Sequence, residues 1–122
     1  MIKALVLRTA GTNCDQETLH ALELCGANAS LLHLREILKR KKALLSYQIA
    51  VVPGGFSYGD DVAAGKILAN EMRIKLKEEL THFIEQKRLV IGICNGFQVL
   101  AKAGLLPGDP ELSFEQKATL TP

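Results

Sequence analysis

A chain of 122 residues has room for one domain and little more. Hydrophobic residues make up 48% of it, enough for a packed core. Fifteen Lys and Arg against 13 Asp and Glu leave a formal charge of +2, too small to argue for a nucleic-acid or membrane partner. No apolar run approaches the ~18 residues of a membrane span, no cleavable leader is expected, and Cys14, Cys25 and Cys94 lack C-x-x-C spacing. A reducing, cytoplasmic setting with no disulfide framework is the expectation.

Ile2 to Leu7 is an apolar run too short for a helix and suited to a buried strand. After a turn over Thr9–Asn13, Leu19, Leu22 and Cys25 take helical spacing from about Asp15, with Asn13 or Asp15 as cap and Gly26 as terminator. A second strand is expected over Ala29–Leu34, then a basic helix over about Arg35–Leu45. Gln48–Pro53 is a third strand, stopped by Pro53-Gly54-Gly55. A glycine-punctuated loop leads to the longest expected helix, about Ile67–Gln86. Ile67, Ile74, Leu76, Leu80, Phe83 and Ile84 supply most of its apolar face. Leu89–Ile93 is a fourth strand, and a helix over about Gly96–Lys102 follows almost without a loop, ended by Gly104 and Pro107-Gly108. The organised part spans 1–108, while 109–122 carries little pattern.

Short apolar strands alternating with amphipathic helices predict an α/β fold: a flavodoxin-like, doubly wound, mainly parallel sheet with strand order 2-1-3-4. Ligands in such folds bind at the carboxyl ends of the strands. The loops at 9–14 and 54–60 and the turn at Cys94 meet there.

The most informative segment is Gly92-Ile93-Cys94-Asn95-Gly96-Phe97-Gln98. A strand feeds directly into a helix with a cysteine at the turn and a glycine two residues to either side, the cysteine form of a nucleophile elbow. Small neighbours permit the sharp bend, and the helix N-terminus behind the sulfur favours the thiolate, its reactive form. The common alternative for a lone cysteine is a small buried core residue. Acyl chemistry also needs donors for an oxyanion. The backbone N–H of Asn95 is one. Pro53-Gly54-Gly55-Phe56 is placed to present another, although the same string alone reads as an ordinary tight turn.

Pro53-Gly54-Gly55 together with the elbow resembles the class I glutamine amidotransferases. The longer strings Gly11-Thr12-Asn13-Cys14-Asp15, Gly54-Gly55-Phe56-Ser57-Tyr58-Gly59-Asp60-Asp61 and Asn95-Gly96-Phe97 resemble one branch, the glutaminase subunits of phosphoribosylformylglycinamidine synthases, over about residues 1–108. The resemblance implies that Cys94 attacks the side-chain amide of glutamine, with a glutamyl thioester formed and ammonia released. Gly55 and Asn95 would hold the oxyanion, and Gly54, Phe56 and Gln98 would line the glutamine site. Ammonia would pass to a separate synthetase subunit, with room for a small accessory subunit. ATP and Mg belong to that partner, and no cofactor or metal is implied in this chain. Consistently, it contains no G-x-x-x-x-G-K-[ST] loop.

One departure matters. Members of the family complete their triad with a His and a Glu downstream of the cysteine, yet His20, His33 and His82 all precede Cys94, and only Glu111 and Glu115 follow it as glutamates. A piece of a longer protein is the expectation, ahead of a degenerate one because the elbow is intact, and a poor glutaminase as it stands. Absent later strands would leave a sheet edge and an apolar face exposed. His33 lies toward the working edge but away from Cys94 in strand order.

Two rivals stay open: a non-catalytic binding or assembly subunit of this fold, and another cysteine hydrolase with this elbow. The second would place an acid such as Asp15, Glu17 or Asp60 beside the cysteine. Lys39-Arg40-Lys41-Lys42 reads as a solvated helix face, Asp60-Asp61 as a loop cap or partner contact, and Cys14 lacks the spacing of a redox pair.

Overall fold

Among the described residues, the apolar runs form four short strands: β1 (Lys3–Arg8), β2 (Asn28–His33), β3 (Ile49–Val52) and β4 (Leu89–Gly92). All pair in parallel, in the order β2-β1-β3-β4, as the crossover rules predict. The computed structural model describes residues 1–9, 12–54, 62–108 and 113–118. Among these, no helix is long and apolar enough to cross a membrane.

Among the described residues, five helices connect and cover the strands: α1 (Asp15–Leu24), α2 (Leu34–Lys39), α3 (Val62–Lys75), α4 (Lys77–Glu85) and α5 (Asn95–Lys102). A 3-10 segment, Lys41–Ser46, follows α2. The main core lies on one sheet face, where Leu5, Leu7, Ala50 and Val52 meet Leu68, Met72, Leu76, Leu80, Phe83, Val99 and Leu100. Strand side chains alternate between faces, so Ala4, Val6 and Val51 point to the opposite side. There α1 packs on β1 and β2 and contributes nothing to the main core.

Three local expectations are corrected. The long helix over 67–86 is two helices, broken at Leu76 with φ −116° and ψ 10°. Leu68 and Met72 of the first piece and Leu80 and Phe83 of the second share the main core. Leu68, Ala69 and Met72 supply the buried stripe of α3, whereas Ile67 and Ile74, seven residues apart on another stripe, are 62% and 69% exposed. The basic helix likewise divides after Lys39 into α2 and the 3-10 segment. Neither Asn13 nor Asp15 caps α1. Cys14 occupies the cap position, and the buried Asp15 carboxylate instead pairs with Arg8 Nε at 3.5 Å and accepts from Gln16 N–H at 3.0 Å.

Beyond α5 the chain turns at Gly104, whose φ is +80°. Its missing side chain matters, because a Cβ there would sit 2.4 Å from the carbonyl carbon of Phe114. That close approach seats the buried Phe114 in the main core, with Lys77 Nζ 5.8 Å from its ring centre. The 113–118 stretch, patternless in the sequence, is fastened by one aromatic ring.

Candidate active site

β4 ends at Gly92, and one further bond, Ile93 N–H to Val52 O at 3.0 Å, keeps the chain beside β3 before it turns. Cys94 makes the turn. Its φ of 54° and ψ of −113° place an L-residue in a region that costs roughly 1–3 kcal/mol and persists only where surroundings enforce it. The surroundings here are backbone. Cys94 O accepts from Phe97 N–H at 3.0 Å and from Gln98 N–H at 3.3 Å, and Ile93 O accepts from Gly96 N–H at 2.8 Å. The first turn of α5 thus holds the Cys94 carbonyl inward, and the cysteine stands exposed at the carboxyl end of the sheet.

Three glycines make this geometry possible, each for a different contact. A Cβ on Gly96 would lie 1.9 Å from Val52 O, so the first turn of α5 rides directly on the end of β3. A Cβ on Gly92 would lie 2.8 Å from Gly96 O, inside the bend itself. A Cβ on Gly54 would come within 2.8 Å of both Cys94 Cβ and Ile93 O, and within 3.5 Å of Asn95 N. Gly54 is therefore a buried neighbour of the elbow, and its lack of a side chain leaves room for the cysteine.

Asn95 N–H occupies the first helical position, one of the donors an α-helix leaves unpaired at its start. The same donor set can stabilise a charge developing beside the sulfur. Gln98, one turn into α5, is exposed, as is Phe97 at its start. Gly55, Phe56, Asp60 and Asp61 lie outside the described residues. The structure thus brings together Cys94, Asn95, Gln98 and Gly54 at one sheet edge.

No histidine joins them. His33 Nδ1 accepts from Arg35 N–H at 3.1 Å and caps α2. It ends β2, three strand spacings from β4 and so about 14 Å away across the sheet. His20 is exposed on α1. His82 is exposed on α4, near the start of β4 and thus at the opposite end of the sheet from Cys94. The acid expected of the rival hydrolase is also missing among the described residues: Asp15 is engaged by Arg8, and Glu17 is exposed on α1. No three His, Cys, Asp or Glu side chains gather as a metal site among the described residues. Cys14 is partly buried, its Sγ 3.4 Å from Asn13 Oδ1, and Cys25 is exposed at the end of α1.

Sequence reasoning placed Gly54 beside the ligand and did not foresee the further part that it plays against the elbow. The signal was faint: a glycine preceding a second glycine at a strand end does not say which of the two meets a neighbouring loop.

Comparison with known proteins adds four findings. The family model of the CobB/CobQ-like glutamine amidotransferase domain matches residues 1–122. The phosphoribosylformylglycinamidine synthase subunit PurQ of Dehalococcoides mccartyi is 52% identical over 120 residues, which cover 98% of this chain and 46% of that one. PurQ of Pyrococcus furiosus is 42% identical over 108 residues, covering 88% and 44%. Among solved structures, a chain of PurLQS from Thermotoga maritima superposes with a TM-score of 0.67 at 35% identity, covering 88% of this chain and 46% of its counterpart. The chain spans less than half the length of each of these relatives.

Proposed function

Because the chain belongs to the CobB/CobQ-like glutamine amidotransferase family, we propose that it carries the nucleophile half of a glutaminase. That glutaminase supplies ammonia for phosphoribosylformylglycinamidine synthesis. The observation that carries this reading is the strained, exposed Cys94 at the head of α5, held by three glycines. Its sulfur attacks the side-chain amide carbon of glutamine, and the C–N bond breaks to release ammonia, leaving a glutamyl thioester. Water then cleaves the thioester to glutamate and restores the thiol. The Asn95 N–H holds the oxygen as it gains charge, with Gly55 N–H as the second donor. Gln98 and Phe56 border the bound glutamine.

The relatives supply the setting. Their printed names make PurQ a subunit of the synthase, and the Thermotoga maritima structure is of a PurLQS assembly. The ammonia acceptor in this reading is a synthetase subunit, to which the ATP and Mg chemistry also belongs. A small accessory subunit completes the assembly, in the cytoplasm where purines are made.

A glutamine-mimicking chloroketone tests the reading. Cys94 is expected to be alkylated at least tenfold faster than Cys25, although both are exposed, and free glutamine is expected to protect only Cys94. Peptide mapping reads the sites. Equal labelling of Cys25, or no protection by glutamine, would remove the basis for a glutamine site.

A further inference from the structure

The side chains of β4 say little about where along β3 the strand belongs. Leu89 is 59% exposed and Ile91 38%, Gly92 has no side chain, and among the described residues Val90 alone of the four packs against the main core. The bonds of a parallel ladder are evenly spaced, so a slip of two residues would remake the same kind of ladder and return each side chain to its own face. Pattern alone therefore sets this register weakly. Such a slip would carry Cys94 about 7 Å past the end of β3.

The residue just before β4 supplies what the strand lacks. Arg88 is half-buried, and its Nη1 donates to two backbone carbonyls ahead of β3: Leu45 O, and Tyr47 O at 2.9 Å. Its guanidinium carbon lies 5.8 Å from the ring centre of Phe83, which is fully buried on α4. Arg88 N–H donates to Phe83 O at 3.2 Å, and Leu89 N–H to Gln48 O at 3.0 Å. The receiving segment is itself fastened to β1. Gln48 N–H donates to Lys3 O at 2.9 Å, and Gln48 Oε1 accepts from Lys3 N–H at 2.7 Å. A β4 displaced by two residues would draw the guanidinium away from both carbonyls and off the Phe83 ring.

We infer that Arg88 is a positioning residue for the glutaminase reaction. By fixing the register of β4 at its amino end, it sets where Cys94 stands at the carboxyl end, beyond Gly92 and about 13 Å or more along the strand. The inference rests on the reading of Cys94 as the nucleophile. Pairing runs unbroken from Leu89 opposite Ile49 to Gly92 opposite Val52, so a displacement at one end of β4 is passed to the other. The elbow tolerates little of it. Ile93 N–H donates to Val52 O, and the first turn of α5 rides on that same oxygen.

The test compares Arg88→Met, which removes the donors, with Arg88→Lys, whose ammonium can still reach both carbonyls. At saturating chloroketone, alkylation of Cys94 is expected to slow at least tenfold in Arg88→Met and to recover to within threefold of wild type in Arg88→Lys. Cys25, at the end of α1, keeps its rate in both. Exchange of the Ile93 amide hydrogen should quicken at least tenfold in Arg88→Met, reporting the loosened pairing directly. Ile37→Val is the control, a destabilising change in the core on α2, and should leave the Cys94 rate within twofold. If Arg88→Met does not melt cooperatively, Arg88→Gln replaces it with the same expected losses, since its amide falls short of the carbonyls. A Cys94 rate within twofold of wild type in the Met or Gln variant would overturn the inference. So would an equal loss in Ile37→Val, or a folded Arg88→Lys no faster than Arg88→Met. Iodoacetamide labelling of Cys94 and Ile93 exchange require no glutamine site. An Arg88 effect on both without protection by glutamine would remove the glutaminase reading alone, and protection without an Arg88 effect would remove this inference alone.

Discussion

Replacing Gly96 with alanine is expected to destabilise the chain by about 3 kcal/mol, near the upper end of the cost of overfilling a packed site. The cause is backbone against backbone. The new methyl would sit 1.9 Å from Val52 O and 2.7 Å from Val52 C, and neither atom can swing aside as a side-chain tip would. Either α5 lifts from the end of β3, or the β3–β4 ladder gives way beneath it. Both outcomes move Cys94. Denaturant melts of the wild-type and Gly96→Ala chains measure the loss, and chloroketone labelling of Cys94 should fall in the same variant. Gly26→Ala is a suitable control. Its φ of +92° also disfavours alanine, but nothing lies within 4 Å of the added methyl, so only the backbone cost of about 1 kcal/mol remains. Equal destabilisation by the two variants would show that close packing at the elbow contributes nothing.

The second large effect is kinetic. Among the described residues no base stands beside Cys94, and a positioned general base is typically worth ~10²–10⁴-fold in rate. The chain alone is therefore expected to release glutamate from glutamine slowly. Adding the polypeptide of the unmatched part of the relatives should raise the rate by ~10²–10⁴-fold if it brings a His to the sulfur. A coupled glutamate assay follows the gain, and Cys94→Ala abolishes it. A rate that stays flat although the two polypeptides co-elute would favour a binding subunit over a catalytic one.

Much of the fold was legible because parallel α/β order leaves a strong periodic trace. Four apolar runs separated by helical spacing allow few right-handed topologies, and the 2-1-3-4 order is the one found. The elbow was legible for a similar reason. Glycines at 92 and 96 around a cysteine have no simpler use, and each meets backbone within 3 Å of where a side chain would begin. The break at Leu76 was not legible, since neither glycine nor proline marks it and the apolar spacing runs through. Met72, Leu76, Leu80 and Phe83 keep a single helical stripe across the break, so their spacing carries no sign of it. Ile67 and Ile74 misled for the opposite reason, because apolar character alone does not say which stripe of a helix faces inward. The burial of Phe114 left no trace at all. A lone aromatic in a polar stretch has no period, and only the hollow at Gly104 reveals its seat.

The contact between Gly96 and the end of β3 ties chemistry to architecture in a way that reaches past the single residue. Cys94 has no loop of its own to wander in, because its position is inherited from two neighbouring strands and the start of one helix. A perturbation that loosens β4 from β3, even far from the sulfur, should then register as a duller nucleophile before the helices melt. The thiol serves as a built-in gauge of how firmly the outermost strand is held.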